Sequence, residues 1–495
     1  MKFRILLAVA AIVAATGDTY AQYSGDALRF SQTPYGSTAR FKAVGAQTGV
    51  GGDLSSVGAN PAGLGLFTRS EISITPEFNS FTSDAEYLGV RNVGRKDQMS
   101  LAHAAVVWNS TLTKPKGAPL DQGWISFNFG LGYNRTKGYG NNVVFSGTNG
   151  ANSVADYYSE LATDNYGAPG TLPAGTLERM AYDNYLIGYD AAGYYFPETD
   201  VNNKQANITD RTGSQSELNL AFGANYGNNI YIGASIGIAS INYNSYSVYS
   251  EEGFNVTENS DYELSFKQNQ LTSGAGINAK IGAIFRPSPN VRLGATFQSP
   301  TWYTIDDSYS EELDTRYSKS VNGATEYQND EEIYDFSYKL RTPMKLSGGI
   351  SYFFGTEGFI SADVDFVDYS TINFLATDNS GADVINDNNR AVMDNFKSAV
   401  NYRLGAEYKL ENLMFRAGYG VQGNPYKQVD TVDLNINTYS GGVGYRINNY
   451  YVDLTYQNVG FNSDARPYTL NNGTGPVAFL KNTGHNVFLT VGTRF

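Results

Sequence analysis

Twelve charged side chains frame the chemical question. Lys280, Arg292, Lys345, Arg403, Arg416, Arg446 and Arg494 all fall on the polar side of segments in which polar and apolar residues alternate. So do Glu217, Asp363, Asp365, Glu407 and Asp453. A guanidinium is a planar fork that grips a carboxylate through two parallel charge-assisted hydrogen bonds. The near balance of signs predicts that most of these groups pair with one another or hold a neighbouring segment. One or two basic groups would then remain for a ligand, with Arg292, Arg403 and Arg416 as the candidates for substrate binding.

Other chemistries find little support. The chain has two histidines, His103 and His485, and no cysteine. Neither histidine has a partner at metal-ligand spacing, so no metal and no cofactor are expected. Residues 378–389 (DNSGADVINDNN) crowd acids and amides but lack the ordered spacing of an EF-hand loop. They read as a solvated external loop. No G-x-S-x-G nucleophile elbow stands out and no candidate nucleophile adjoins a histidine, so the chain does not read as an enzyme. A formal charge of −13 argues against a nucleic-acid partner.

The elements that must position these charges are strands. In YYVDLTYQ, Tyr450, Val452, Leu454 and Tyr456 share one face, and Tyr451, Asp453, Thr455 and Gln457 the other. In FISADVDF, Ile360, Ala362, Val364 and Phe366 oppose Ser361, Asp363 and Asp365. Segments near ten residues with this period are the mark of a transmembrane β-barrel, apolar toward lipid and polar toward the lumen. Fourteen such segments are expected: 70–79, 99–109, 122–134, 214–226, 229–242, 272–285, 290–299, 342–354, 357–368, 396–410, 412–421, 437–447, 449–458 and 484–495. The connections alternate long and short, as external loops and periplasmic turns do. The largest loop is 135–213, with helical stretches expected at 151–161 and 176–189. These would form an external capture groove or pack over the barrel mouth. Composition agrees, with 38 Tyr, 27 Phe, 53 Gly and only 15 Pro. The fold class is therefore all-β, an antiparallel transmembrane barrel of about fourteen strands.

The ends fit an outer-membrane destination. Lys2 and Arg4 precede the apolar run Ile5 to Ala15, and Thr19-Tyr20-Ala21 supplies small residues for cleavage after Ala21. The run is shorter than the roughly 20 residues a membrane helix needs. Phe495 closes an amphipathic last strand and is expected to act as the signal read by the outer-membrane assembly machinery. Residues 22–68 do not alternate and are rich in Gly, Ala and Ser. They are expected to fold inside the lumen as a plug, leaving 69–495 for the barrel.

At this point the chain resembles a known family. Ala39-Arg40, the small-residue run to Asp53, and the motif Asn60-Pro61-Ala62-Gly63-Leu64 look like the plug of the FadL/TodX-type outer-membrane transporters of hydrophobic compounds. Residues 285–303 (FRPSPNVRLGATFQSPTWY) resemble a strand–turn–strand of distant members. The resemblance implies a fourteen-stranded plugged barrel. It also implies passive carriage of long-chain fatty acids or other hydrophobic small molecules, with release into outer-membrane lipid through a kinked third strand. The partners would be a hydrophobic ligand, membrane lipid and the assembly machinery, with the chain acting as a monomer. Gly130 and Gly132 on the third strand are the candidates for the kink and lateral gate. Inward glycines that make room for the plug are the competing reading. A general diffusion porin and a scaffold in an envelope complex are the alternative functions.

Overall fold

The computed structural model describes residues 25–32, 37–113, 122–377, 382–427 and 434–495. The export leader expected over 1–21 lies outside them, as do residues 378–381 of the acid-rich segment.

Fourteen antiparallel staves close into one barrel. They are β1 Glu71–Tyr87, β2 Val90–Thr111, β3 Trp124–Gly138 continued by Asn141–Asn149, β4 Asn203–Tyr226 and β5 Ile230–Asn255. Next come β6 Ser260–Ser288, β7 Val291–Gln298 with Trp302–Val321, β8 Glu332–Arg341 with Lys345–Phe354, and β9 Gly358–Asp368 with Asn373–Ala376. The last five are β10 Ser398–Leu410, β11 Leu413–Gln422, β12 Ile436–Ile447, β13 Tyr450–Ala465 and β14 Ala478–Arg494. The first stave pairs with the last from Glu71↔Arg494 to Tyr87↔Ala478, so the sheet has no free edge.

The alternation read from sequence is the alternation of burial. Ile360, Val364 and Phe366 are exposed, while Ser361, Asp363 and Asp365 are buried. The outward face carries an apolar band that includes Leu218, Ile236, Ile281 and Leu454. Trp124, Tyr226, Phe285, Tyr408 and Tyr450 stand exposed beside the short turns, where an aromatic girdle belongs. The β4–β5 turn places Gly227 and Asn228 at positive φ, 61° and 56°, as a tight hairpin requires.

Several expected external loops are strand instead. Residues 243–271, read as a loop, belong to β5 and β6 except for the turn at 256–259. Backbone pairing there continues beyond the membrane, through stretches such as SVYSEE that are polar on both faces. The hydrophobic alternation therefore stops where the bilayer stops, not where the sheet stops. The acid-rich segment was read as a loop, yet Ala382–Asn395 is a helix. Val384, Ile385, Asn388 and Val392 give it a buried stripe at helical spacing.

Two helices lie inside the barrel, α1 over 25–31 and α2 Ala39–Val44, followed by 3₁₀ turns at Leu54–Val57 and Pro61–Leu66. Nearly all the described residues from Ser37 to Gly65 are buried. These residues form the plug inside the lumen. Outside, α3 Val154–Asn165 and α4 Leu177–Asp183 pack as a tyrosine-rich cap on the tall ends of β5–β7. The second expected helix is shorter than read. Ile187–Tyr189 pairs instead with Tyr195–Pro197.

Candidate functional site

The plug sits where the wall lacks Cβ atoms. Gly223, Gly233 and Gly282 stand side by side on β4, β5 and β6. Into this furrow fits the Asn60–Leu64 turn. A Cβ on Gly223 would come within 2.5 Å of the Leu64 side chain, and one on Gly233 or Gly282 would overlap Pro61 or Asn60. Asn60 caps the turn by accepting the Ala62 N–H at 3.1 Å and reaches the Thr48 carbonyl at 2.8 Å through its own amide. Asn60, Pro61, Ala62 and Gly63 thus form the seated corner of the plug. A second furrow, Gly294 beside Gly349, takes Thr48 and Gly49.

Charges fix the plug from the other side. Arg40 of α2 forks onto Glu407 at 2.8 and 2.9 Å. Arg416, directly across the ladder from Glu407, binds the same carboxylate at 2.6 Å and reaches Asp453 at 2.7 Å. Arg446 meets Asp453 at 3.3 Å. Lys280 donates to the Gly58 carbonyl at 2.8 Å and pairs with Glu217. Most inward charges therefore pair or hold the plug, as the sign balance predicted.

Above α2 and below α1 the lumen keeps a cavity of about 380 Å³. Its roof is α1, whose Leu28 and Phe30 pack among Tyr243, Tyr303 and Phe374. The Phe30 carbonyl accepts from Gln215 at 3.2 Å, and the Arg29 carbonyl from Lys137 at 2.9 Å. The cavity runs from Arg135 and Lys137 on β3 to Lys345, Asp365 and Arg403 on the opposite wall.

Of the three substrate-binding candidates, only Arg403 lines this cavity. It forks onto Asp365 at 2.7 and 3.0 Å. Arg416 is buried in the network under α2. Arg292 donates to the Val50 carbonyl and lies 4.2 Å over the Phe353 ring, beneath the plug. Alternation places both correctly in the lumen but does not say that the plug has reached them first.

Sequence reasoning missed Arg135 and Lys137. Asn128 and Asn134 point inward, so strict alternation sends residues 135 and 137 to lipid. The register slips between them, with Arg135 opposite Ser216 and Lys137 opposite Gln215. Such a bulge turns Lys137, the first paired residue after it, to the inner face. Arg135 meets Glu77 at 2.6 Å inside the barrel.

The same slip corrects the kink. Gly130 and Gly132 lie in unbroken ladders, opposite Val107 and Ala105 on β2 and Ala221 and Asn219 on β4. Their missing Cβ atoms leave space for Val57 of the plug, so they serve packing. The ladder between β2 and β3 ends higher, at His103↔Asn134. Beyond it, Asn141–Asn149 runs inside the barrel. Val143 and Phe145 pack on Ala85 and Tyr87 of β1 and on Leu480 of β14. A seam thus opens beside the cavity, bridged by side chains such as Asn92, which accepts the Ser146 N–H at 2.9 Å. A second irregularity crosses β7, β8 and β9 at Pro300, Pro343 and the turn Tyr369–Thr371. There Thr301 and Thr342 bond each other at 3.0 and 2.8 Å.

Phe495 ends the chain outside the ladder, its N–H on the Ser70 carbonyl at 2.9 Å. Among the described residues no cluster of three or more His, Asp or Glu side chains could hold a metal ion.

No family model matches the chain, and no curated protein does. Solved structures do. A FadL homologue of Pseudomonas aeruginosa aligns over 94% of this chain and 98% of its own, with a TM-score of 0.51 at 12% identity. The toluene transporter TodX of Pseudomonas putida aligns over 94% and 100%, with a TM-score of 0.51 at 12% identity. At this identity the likeness shows the fold. The chain has the plugged-barrel fold of these two structures.

Proposed function

We propose that this barrel carries hydrophobic or amphiphilic small molecules passively across the outer membrane. The class includes the toluene and monoaromatic hydrocarbons named for proteins of this fold and the long-chain fatty acids that the family resemblance implies. The carrying observation is that the lumen is blocked by a seated plug while its cavity adjoins the β2–β3 seam. A molecule that enters past the α1 roof reaches the cavity and leaves sideways into lipid, without passing the part of the plug from Ser37 to Gly65. The open lumen of a porin does not fit that arrangement. Export by a leader cleaved after Ala21 and function as a monomer belong to the same reading. N-terminal sequencing of the mature protein is expected to begin at Gln22.

The test is a reversible tether across the seam. A Cβ at Gly140 would lie 2.7 Å from Oε1 of Gln98, so the two positions face each other across the seam, and Gln98→Cys with Gly140→Cys places a thiol on each side for a short reducible cross-linker. In proteoliposomes the cross-linked pair should slow uptake of labelled oleate or toluene at least fivefold, and reduction should restore it. Equal uptake before and after reduction rejects lateral release. A large steady single-channel conductance with no selective uptake would favour a porin.

A further inference from the structure

We infer that the outer face of the barrel around Lys339 and Arg341 docks a phosphate-bearing, anionic lipid of the surrounding leaflet. This surface is separate from the lumen cavity, and the inference rests only on the membrane placement of the barrel.

The ladders locate the edge of the lipid band on this side. Ile238, Ile277, Trp302 and Arg341 stand in register on β5, β6, β7 and β8, all facing outward. Two residues further from the periplasmic turns, Ser240, Ala275, Thr304 and Lys339 stand in register on the same face. The first row is exposed and apolar as far as Trp302, and the second is small or polar as far as Thr304. Hydrocarbon therefore ends between them. The two cations straddle the head-group level, beside a tryptophan of the kind that anchors at such an interface.

Three other bases of the sheet show the usual arrangement. Lys204 faces Glu252 directly across the ladder, Lys267 faces Glu312 and Arg316 faces Glu263, and each couple forms an ion pair. Opposite charges placed so are favoured in an antiparallel sheet. Lys339 instead faces Thr304 and Leu375, and Arg341 faces Trp302 and Asn373. The outward carboxylate two residues above Thr304, Asp306, accepts from the Ser337 hydroxyl at 2.6 Å. Among the described residues neither cation has a hydrogen bond or an ion pair. Shortage of acid is not the reason, since the chain has 48 acidic and 35 basic residues.

The occupant follows from depth and charge. Side chains two apart on one strand face are about 7 Å apart, so an ammonium and a guanidinium can hold one phosphate from two sides. Below Arg341 the same stave continues outward through Met344, Leu346 and Ile350, all exposed. They give an acyl chain a track beneath its head group. A soluble protein would meet only the upper edge of this site, because the part below Arg341 lies in lipid. Each cation near an anionic lipid surface favours association by about fivefold, so the two together should contribute at least roughly tenfold.

The test is native mass spectrometry of the full-length protein in detergent at about pH 7.5, titrated with dioleoyl phosphatidic acid, phosphatidylglycerol and phosphatidylcholine. The two anionic lipids should bind at least tenfold more tightly than the zwitterionic one. Lys339→Gln with Arg341→Gln should remove that preference, while Lys339→Arg keeps it. Lys204→Gln with Arg316→Gln, which removes two bases already paired with acids, should also keep it. Heat-modifiable gel migration verifies that each variant is a folded barrel. Equal affinity for anionic and zwitterionic lipid, or an unchanged preference in the Lys339→Gln, Arg341→Gln protein, overturns the inference. Displacement of phosphatidic acid by an equal concentration of glycerol 3-phosphate also overturns it, because the site would then be one for a free anion. A dimer that the same double substitution abolishes overturns it in favour of a contact between copies. The uptake assay above involves neither residue, so failure here leaves the transport reading standing.

Discussion

Through a single carboxylate oxygen, Asp363 on β9 holds both the backbone N–H and the hydroxyl of Thr48 in the plug, each at 2.8 Å. The same oxygen takes the Gln47 N–H at 2.7 Å. One wall residue thus fixes three donors of a loop that has no secondary structure of its own. Hydrogen bonds to a charged group contribute about 1.5–3 kcal/mol each, net of the bonds exchanged with water. Asp363→Ala should loosen the loop and make the plug leaky. The check is single-channel recording, in which brief openings should replace the silent baseline, together with raised sensitivity of cells to a bulky antibiotic.

The glycine furrow makes a sharper test because it adds atoms instead of removing a contact. Gly233→Ala places a methyl against the Pro61 backbone and should cost about 1–3 kcal/mol by overpacking. Gly348→Ala is the control. Its Cβ would find only Val364, at 3.8 Å. The first variant should lower the thermal unfolding midpoint and the second should leave it within error.

Outside the membrane, Glu251 is the hub of the cap. Its carboxylate accepts from Ser153, from the Val154 N–H at 3.1 Å, from Gln205 at 2.7 Å, and from Tyr249 and Tyr262 at 2.8 and 2.7 Å. Glu251→Ala strands five neutral donors, each costing about 1–3 kcal/mol where it stays buried and unpaired, and should destabilise the cap by several of these units. Protease treatment of intact cells should then cut within 150–200, where the parent resists.

The cap should also respond to pH. Burial pushes the Glu178 carboxyl on α4 above its ordinary value. The folded cap disfavours the ionised form, so this contribution is most favourable below the ordinary carboxylate pKa. It is lost as pH rises through that value toward the raised one. Protease resistance of the cap should therefore fall between mildly acidic and neutral pH. Glu178→Gln should flatten that dependence.

Deleting Phe495 should lower the yield of folded barrel in the outer membrane without changing the stability of the molecules that do assemble. Heat-modifiable migration of membrane fractions measures the first, and thermal melts of purified protein the second.

The parts of this fold legible in sequence are those on which the bilayer imposes a rule. Tyr450 to Gln457 must alternate because one face meets lipid. The upper halves of β5 and β6 meet no lipid, one face turning to water and the other to the cap through Tyr249, Glu251 and Tyr262, so SVYSEE looks like loop while pairing as strand. The site divides in the same way. Arg403 was readable because β10 keeps its register through the membrane. Lys137 was not, because a one-residue bulge ahead of it reverses its face, and Arg135 was not, because it sits at the bulge itself and turns inward to Glu77. Arg292 and Arg416 were read to the right side of the wall, but occupancy of that side by Val50 and Arg40 depends on how a non-repeating segment folds. No periodicity encodes that.

The plug's reach has a consequence for the order in which the molecule is made. Ala39 donates its N–H to Thr490 on the last stave at 2.8 Å, while Asn60 and Pro61 lie against β5 and β6. The segment that must end up enclosed is the first of the described residues to leave the ribosome. The stave that seals the cylinder is the last. Closure of β1 on β14 is therefore wrapping around a mandrel, and a chain whose N-terminal segment is displaced has no correct diameter to close upon.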